Sequence, residues 1–503
     1  MDKLSTEQYA FICTEADAIL QEYASSVPVI SIPWLHVLNG HPSNQLKYIP
    51  VFKKRNFWLQ VKVFSYFTGS IFLNLFLSLI SFVSGRRNHP WVQPDLDVLM
   101  VSHLINLQVK QDAPDFYFDE LPGYLAEHKH KKSTLALIDH TTSFFNAKKK
   151  RRLSGPKKYI IPKRLGLQTE IRILGNCVSS FFLFFKRYLK ETDRDKRSFL
   201  LETTLQTLAP ASFHALRLHA NMIHVIDHSN VATIFMTWEG HSWERLIVHA
   251  TKHAKRKIKS IGYQHTILFP DSHGLKRFIS DAFNPDIVLT VGTVTAGILT
   301  SSGGLKDAAI IPYGSHRRSQ KKVDTLTETK IKKCLVTPEG VPRESNLLFN
   351  YAIEAAKQLP EWQFVLRLHP ILSFEKLQEQ NEQLRNLPGN VRLSTEKNID
   401  NDFADCQLLL YRSSSVAIFS VLAGLKPVCL ELENEISIDP LYMLDSWKVT
   451  VKEVDEFIGL LHSANNISLT EKNTEHAKAV KFCEEYMMLL DRSVFDRPIF
   501  GFN

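Results

Sequence analysis

Beyond Pro94 the chain alternates short, unbroken apolar runs with longer stretches of helical periodicity. The runs predict buried strands at Asp97–Ser102, Leu135–His140, Lys158–Pro162, Val231–Thr237, Lys259–Gln264, Asp286–Val291 and Ala308–Pro312. Helices such as Ser198–Leu208 and Trp243–Lys255 lie between them. Continuous Val/Ile/Leu runs indicate strands covered on both faces, as in a parallel sheet flanked by helices. The polar stretch His316–Lys330 interrupts the pattern and reads as a linker. A second unit then repeats it, with strands Lys333–Thr337, Gln363–Leu368, Val391–Ser394, Gln407–Tyr411 and Pro427–Leu432. Its helices are Arg343–Gln358, Phe374–Asn386 and Val416–Ala423, the last closed by Gly424 in a left-handed cap. The expected class is α/β: two Rossmann-like domains facing across a cleft, with an N-terminal helical extension. The domains read as 1–94, 95–315, a linker 316–330, 331–475, and a C-terminal helix within 476–503 that packs back on the first domain.

One segment changes this picture. Val63–Gly85 carries no charge and is just long enough for a bilayer core, which takes about 20 residues. Ser70, Asn74, Ser78 and Ser81 recur along it at helical spacing. A spanning helix, an in-plane helix and a helix buried in the fold all fit that pattern. Basic residues flank both ends (Lys53, Lys54, Arg55 and Lys62 before, Arg86 and Arg87 after), so charge sets no orientation. A span would strand the first sixty residues across the membrane from the two α/β units.

The composition is ordinary for a globular protein: 503 residues, 44% hydrophobic and 22% charged, which excludes a disordered or collagen-like chain. Phe is abundant at 32 copies, favouring aromatic packing or a membrane-facing surface. The six cysteines are scattered without a CxxC pair, which argues against a zinc ribbon or secreted disulfide framework and fits a reducing compartment. The N-terminus lacks the basic-then-apolar order of a signal peptide. In a chain of net charge +9 the densest basic run is Lys148–Arg152, followed by Lys157-Lys158, and it suits anionic lipid headgroups, an acidic polymer, nucleic acid or a solvated loop. No nucleic-acid-binding motif accompanies it.

Chemistry is expected where strands end. Thr237-Trp238-Glu239-Gly240-His241 closes a buried strand, which places Glu239 for acid/base or nucleophilic work, while Glu244 falls in the first turn of the next helix. The following strand ends in Gln264-His265-Thr266, so His265 is expected beside Glu239. In the second unit, QFVLRLHP makes Arg367 and His369 candidate nucleotide contacts. Ser413, Ser414 and Ser415 stand where a strand gives way to a helix, a position suited to an anion. Glu339, in Pro338-Glu339-Gly340, is placed to orient a sugar hydroxyl or the nucleotide, or to act as a base, and it equally fits a turn residue at the start of the next helix. No Walker A or GxGxxG pattern follows a strand, which disfavours P-loop and ordinary NAD chemistry. No DxD pair sits at a strand end, and neither metal nor cofactor is invoked.

The TWEGHSWE…GYQHT block, followed by RLHP and RSSS, resembles bacterial surface-carbohydrate (capsule and lipopolysaccharide) glycosyltransferases of GT-B type. The HP and serine motifs are similar to those of polysialyltransferases and Kdo transferases. The resemblance implies CMP contacts for His369, Ser413, Ser414 and Ser415, and a catalytic acidic residue matched by Glu239. The acidic-acidic-glycine motif of polysialyltransferases keeps only one acid here, at Glu339. The implied function is transfer of an ulosonic acid from a CMP-activated donor to a glycan or lipid-linked acceptor. It would take place at the cytoplasmic face of the inner membrane, against an anionic membrane surface and without nucleic acid. A CDP-glycerol- or ribitol-type phosphotransferase and a non-catalytic capsule-assembly protein are the alternatives.

Overall fold

The structure, a computed structural model, describes residues 3–53, parts of 61–79, 93–104, 113–140, 157–318, 322–327, 332–463 and 468–502. The basic run Lys148–Arg152 and the polar positions Ser70, Asn74, Ser78 and Ser81 lie outside the described residues.

Two all-parallel sheets form the body. The first contains β1 (Val98–Leu104), β2 (Ser133–Asp139), β3 (Lys158–Ile160), β4 (Thr233–Thr237), β5 (Lys259–Gln264), β6 (Ile287–Thr290) and β7 (Ala309–Pro312), in the order β3-β2-β1-β4-β5-β6-β7. The second contains β8 (Lys333–Thr337), β9 (Gln363–Leu366), β10 (Val391–Leu393), β11 (Leu408–Tyr411), β12 (Lys426–Leu430) and β13 (Val449–Val451), in the order β10-β9-β8-β11-β12-β13. Both orders run outward from the first strand, then reverse and continue on its other side. That is Rossmann-like winding, and it leaves a switch point between β1 and β4 and another between β8 and β11.

The uninterrupted apolar strands are explained by burial on both faces. Along β1, Val98, Met100 and Leu104 enter one core, while Leu99 and Val101 enter another on the opposite face. In the second sheet, Leu409 and Tyr411 enter the core shared with the first sheet, whereas Leu408 and Leu410 face the helix Pro342–Gln358. The shared core is completed by the helix Leu469–Tyr486, whose Ala479, Val480 and Cys483 are buried in it. This helix contacts Val416–Leu422 of the second unit and Thr293–Ser302 of the first. The chain then returns to the first sheet, where Met488 N–H donates to the Val291 carbonyl and Ser315 N–H to that of Met488.

The N-terminal residues fold onto the first unit. Thr6–Glu22, capped by Ser5, buries Ile12, Ala16 and Leu20 against Trp34, Phe199 and Leu246. Among the described residues, no helix is long and apolar enough to cross a membrane. All six cysteines are free. The predicted helix Phe374–Asn386 is α-helical only to Gln380, because Asn381 is extended and caps a following 3₁₀ turn, Glu382–Leu384. Gly424 has φ +89°, as the left-handed cap requires.

Candidate active site

At the first switch point the turn Glu239-Gly240-His241 is built around a buried acid. The Oε2 atom of Glu244 accepts N–H bonds from Glu239 (2.9 Å), Gly240 (2.8 Å) and His241 (2.9 Å). Glu244 is therefore the clamp of the turn rather than a reactant. Gly240 sits at φ +86°, and a Cβ there would overlap the Gly274 carbonyl oxygen, so glycine is required.

The clamp presents Glu239, whose side chain is 31% exposed, between two histidines. His241 Nε2 lies 3.2 Å from one carboxylate oxygen and His265 Nε2 lies 3.8 Å from the other. The expected Glu239–His265 neighbourhood is thus present, but the closer partner is His241. Burial pushes the Glu239 carboxyl upward; hydrogen bonding to His241 and the charges of His265 and His241 outweigh it and hold the group at about 2. Burial lowers His241, yet its bond to Glu239 and the nearby Glu244 leave it raised overall. His265 is pushed down to about 4 by burial.

Several residues here were not evident as site residues in the sequence. His103, at the end of β1, places Nδ1 2.8 Å from His140 Nε2 and Nε2 3.2 Å from Thr237 Oγ1. Burial holds His103 at about 3. Tyr117 packs edge-on against His265, with ring centres 4.6 Å apart, and Arg317 lies over Phe116 and Tyr117. The available signal was that His103 and His140 both terminate apolar runs, as Glu239 does.

At the second switch point Thr337 ends β8 beside Tyr411, the last residue of β11. Thr337 Oγ1 and Ser413 Oγ, in residues 2% and 5% exposed, have no hydrogen-bond partner among the described residues. Ser414 Oγ accepts from Val416 N–H at 3.3 Å. Ser415 caps the next helix without a side-chain bond. That helix, Val416–Leu422, has only seven residues, so the serines offer hydroxyls more than a helix dipole. Arg412 fixes the loop from beneath through Glu344 (2.9 Å) and Glu435 (2.7 Å), all three side chains buried.

His369 is half-buried and adjoins Gly340, where a Cβ would come 3.0 Å from its Nδ1. Burial lowers it while Glu339 pulls it up. Arg367 does not join this group. It is bound by Asp402, by Ser394 Oγ and by the carbonyls of Glu396 and Lys397, which anchor β9 to the loop beyond β10. The guanidinium expected to contact the nucleotide is thus held by groups of its own domain.

An N-terminal strap joins the two half-sites. Gly274 N–H donates to the Leu38 carbonyl and Gly40 N–H to that of Asp271. A Cβ on Gly274 would lie 3.2 Å from the Glu239 carbonyl oxygen, so strap, Gly274 and the Glu239 turn are in close contact. His41 then crosses to the second domain, with Nε2 2.8 Å from Glu339 Oε1. Glu339 thus meets the N-terminal strap and lies near His369.

Together these features define a two-domain α/β protein with polar clusters at the switch points of both sheets, the GT-B-like arrangement expected from the sequence. No family model matches the chain, and no curated protein matches it. Solved structures similar to it include an α,α-trehalose-phosphate synthase (UDP-forming) from Burkholderia vietnamiensis, at 11% identity over 82% of this chain and 98% of that one, TM-score 0.45. A UDP-GlcNAc 2-epimerase from Neisseria meningitidis bound to UDP-GlcNAc matches at 11% identity over 78% and 99%, TM-score 0.41. The glycotransferase of kitacinnamycin matches at 11% identity over 78% and 97%, TM-score 0.41. The likeness is loose, and the chemistry of the site rests on this chain's own residues.

Proposed function

We propose that the protein is a glycosyltransferase that moves a sugar from a nucleotide-activated donor to a glycan or lipid-linked glycan at the cytoplasmic face of the inner membrane. The observation that carries this reading is the pair of buried, unpartnered hydroxyls, Thr337 and Ser413, at the second switch point. Buried polar atoms are nearly always satisfied, so hydroxyls left open where such sheets bind ligands call for a polar ligand. The donor's nucleotide would lie there, with His369 and Ser414 at its phosphate.

The preferred donor is a CMP-activated ulosonic acid, on the resemblance of the RLHP and RSSS motifs. The acceptor oxygen attacks the anomeric carbon, the bond from that carbon to the phosphate oxygen breaks, and the electron pair leaves with CMP. Glu239, ionised throughout the physiological range, is a weak proton acceptor at about 2. Its role is to orient the acceptor hydroxyl and support positive charge on His241, which takes the proton. His265, held neutral, borders the same acceptor position.

The test is thermal stabilisation of the purified protein by CMP, UDP, CDP and GDP, repeated with Ser413→Ala and His369→Ala. A CMP-selective shift that both substitutions diminish supports the reading. Preference for CDP redirects it to glycerol- or ribitol-phosphate transfer. A folded protein that answers to no nucleotide removes the donor site and favours a non-catalytic role.

A further inference from the structure

Twelve of the twenty large apolar side chains exposed among the described residues lie on two neighbouring helices of the first unit. One is Leu167–Lys190. Its Ile173, Cys177 and Phe184 face inward, while Ile171, Val178, Phe182, Phe185 and Leu189 form one outward stripe at i, i+7, i+11, i+14 and i+18. Phe182 is 62% exposed and Leu189 59%. The second helix comprises described residues within 61–79. It rests Phe67, Ile71 and Leu75 on the first helix's inner face and turns Phe72, Leu73 and Phe76 to solvent. Phe64 meets Phe181 across the pair, with ring centres 5.9 Å apart. Soluble monomers rarely expose so continuous an apolar surface, so this one has an occupant.

The charge on its border says which. Arg172, Lys186 and Lys190 are exposed along one edge of the stripe and make no ion pair among the described residues. The only acid on that helix, Glu170, is buried and bound by Arg217 at 2.8 Å. An apolar stripe edged by unpaired cations, on a helix already anchored by its other face, matches the interfacial layer of an anionic bilayer. We infer that the Leu167–Lys190 helix, with the helical residues of 61–79 beside it, is a peripheral docking surface for an anionic membrane. Phe182, Phe185 and Leu189 enter the acyl boundary, and Arg172, Lys186 and Lys190 meet the headgroups. This assignment does not depend on the identity of the donor. On this inference the described residues of Val63–Gly85 lie along the membrane surface beside a second helix.

The test is flotation of the full-length protein with phosphatidylcholine vesicles and with vesicles containing phosphatidylglycerol. The protein is expected to float with both, more strongly with phosphatidylglycerol and less at high salt. F182S/F185S/L189S is expected to lower vesicle affinity about tenfold or more while circular dichroism and nucleotide-induced stabilisation stay unchanged. R172E/K186E/K190E is expected to abolish the preference for phosphatidylglycerol. Failure to float with either vesicle overturns the inference, as does flotation insensitive to the triple serine variant. A vesicle-inert protein whose dimer is dissociated by that same variant also overturns it, because the occupant is then a second copy.

Discussion

Arg412→Met is the perturbation that weighs the second half-site most directly. Arg412 is 2% exposed and donates from Nε to Glu344 (2.9 Å), from Nη2 to Glu435 (2.7 Å) and from Nη1 to the Leu430 carbonyl (3.2 Å). Methionine keeps most of the stem's volume and removes all three donors. Two buried carboxylates then lose their counter-charge. Breaking one buried ion pair from one side costs about 3–5 kcal/mol, and an abandoned buried carbonyl adds about 1–3 kcal/mol. Glu435 keeps Lys3 at 3.5 Å, which offsets part of this, so the net expectation is a loss of about 3–5 kcal/mol. Urea unfolding followed by fluorescence and circular dichroism measures it. Because the penalty is that of stranded charge, R412M/E344Q/E435Q is expected to recover more than half the loss. A single-variant loss below about 1 kcal/mol refutes the argument, and so does a triple variant no more stable than the single one.

Two further expectations follow from the first half-site. Gly240→Ala forces a Cβ into a left-handed residue and against the Gly274 carbonyl, with an expected cost of about 2–5 kcal/mol and disordering of the Glu239 turn; a melting temperature equal to the parent's would contradict it. In acid, His265 and His103 have folded pKa values (about 4 and about 3) below the ordinary 6.5. Between pH 6.5 and about 4 the unfolded chain therefore binds protons that the folded chain refuses, and stability rises with pH across that window. Glu239, at about 2 against an ordinary 4.5, adds stability above 4.5 that is lost as pH falls toward 2. His265→Gln is expected to flatten the stability slope between pH 6.5 and 4, and an unchanged slope counts against a buried neutral imidazole.

The sequence by itself determined the layered architecture. Strands buried on both faces must be continuous apolar runs, and the predicted β5, Lys259–Gln264, and β8, Lys333–Thr337, coincide with the observed ones. The strand β13, Val449–Val451, is missing from the prediction because three residues with an exposed Thr450 carry too little apolar pattern to register. The closeness of Glu239 and His265 was also legible, since they stand two residues and one residue beyond the ends of β4 and β5 and adjacent parallel strands bring such ends together.

Tertiary structure alone decided the rest. His103 and His140 are ordinary histidines until the register of β1 on β2 sets Leu104 beside Asp139 and places their rings 2.8 Å apart at the nearest nitrogens. Arg367 and Arg412 look alike as strand-end arginines, yet one is consumed by Asp402 and the other by Glu344 and Glu435, partners that no local spacing reveals. His41 meets Glu339 across 298 residues of sequence. Local pattern specifies which residues are buried and where strands stop, because those depend on neighbours along the chain. Which polar atoms are satisfied, which remain open and which charges hold which loops depends on contacts that exist only after the two sheets, the strap and the C-terminal helix have packed.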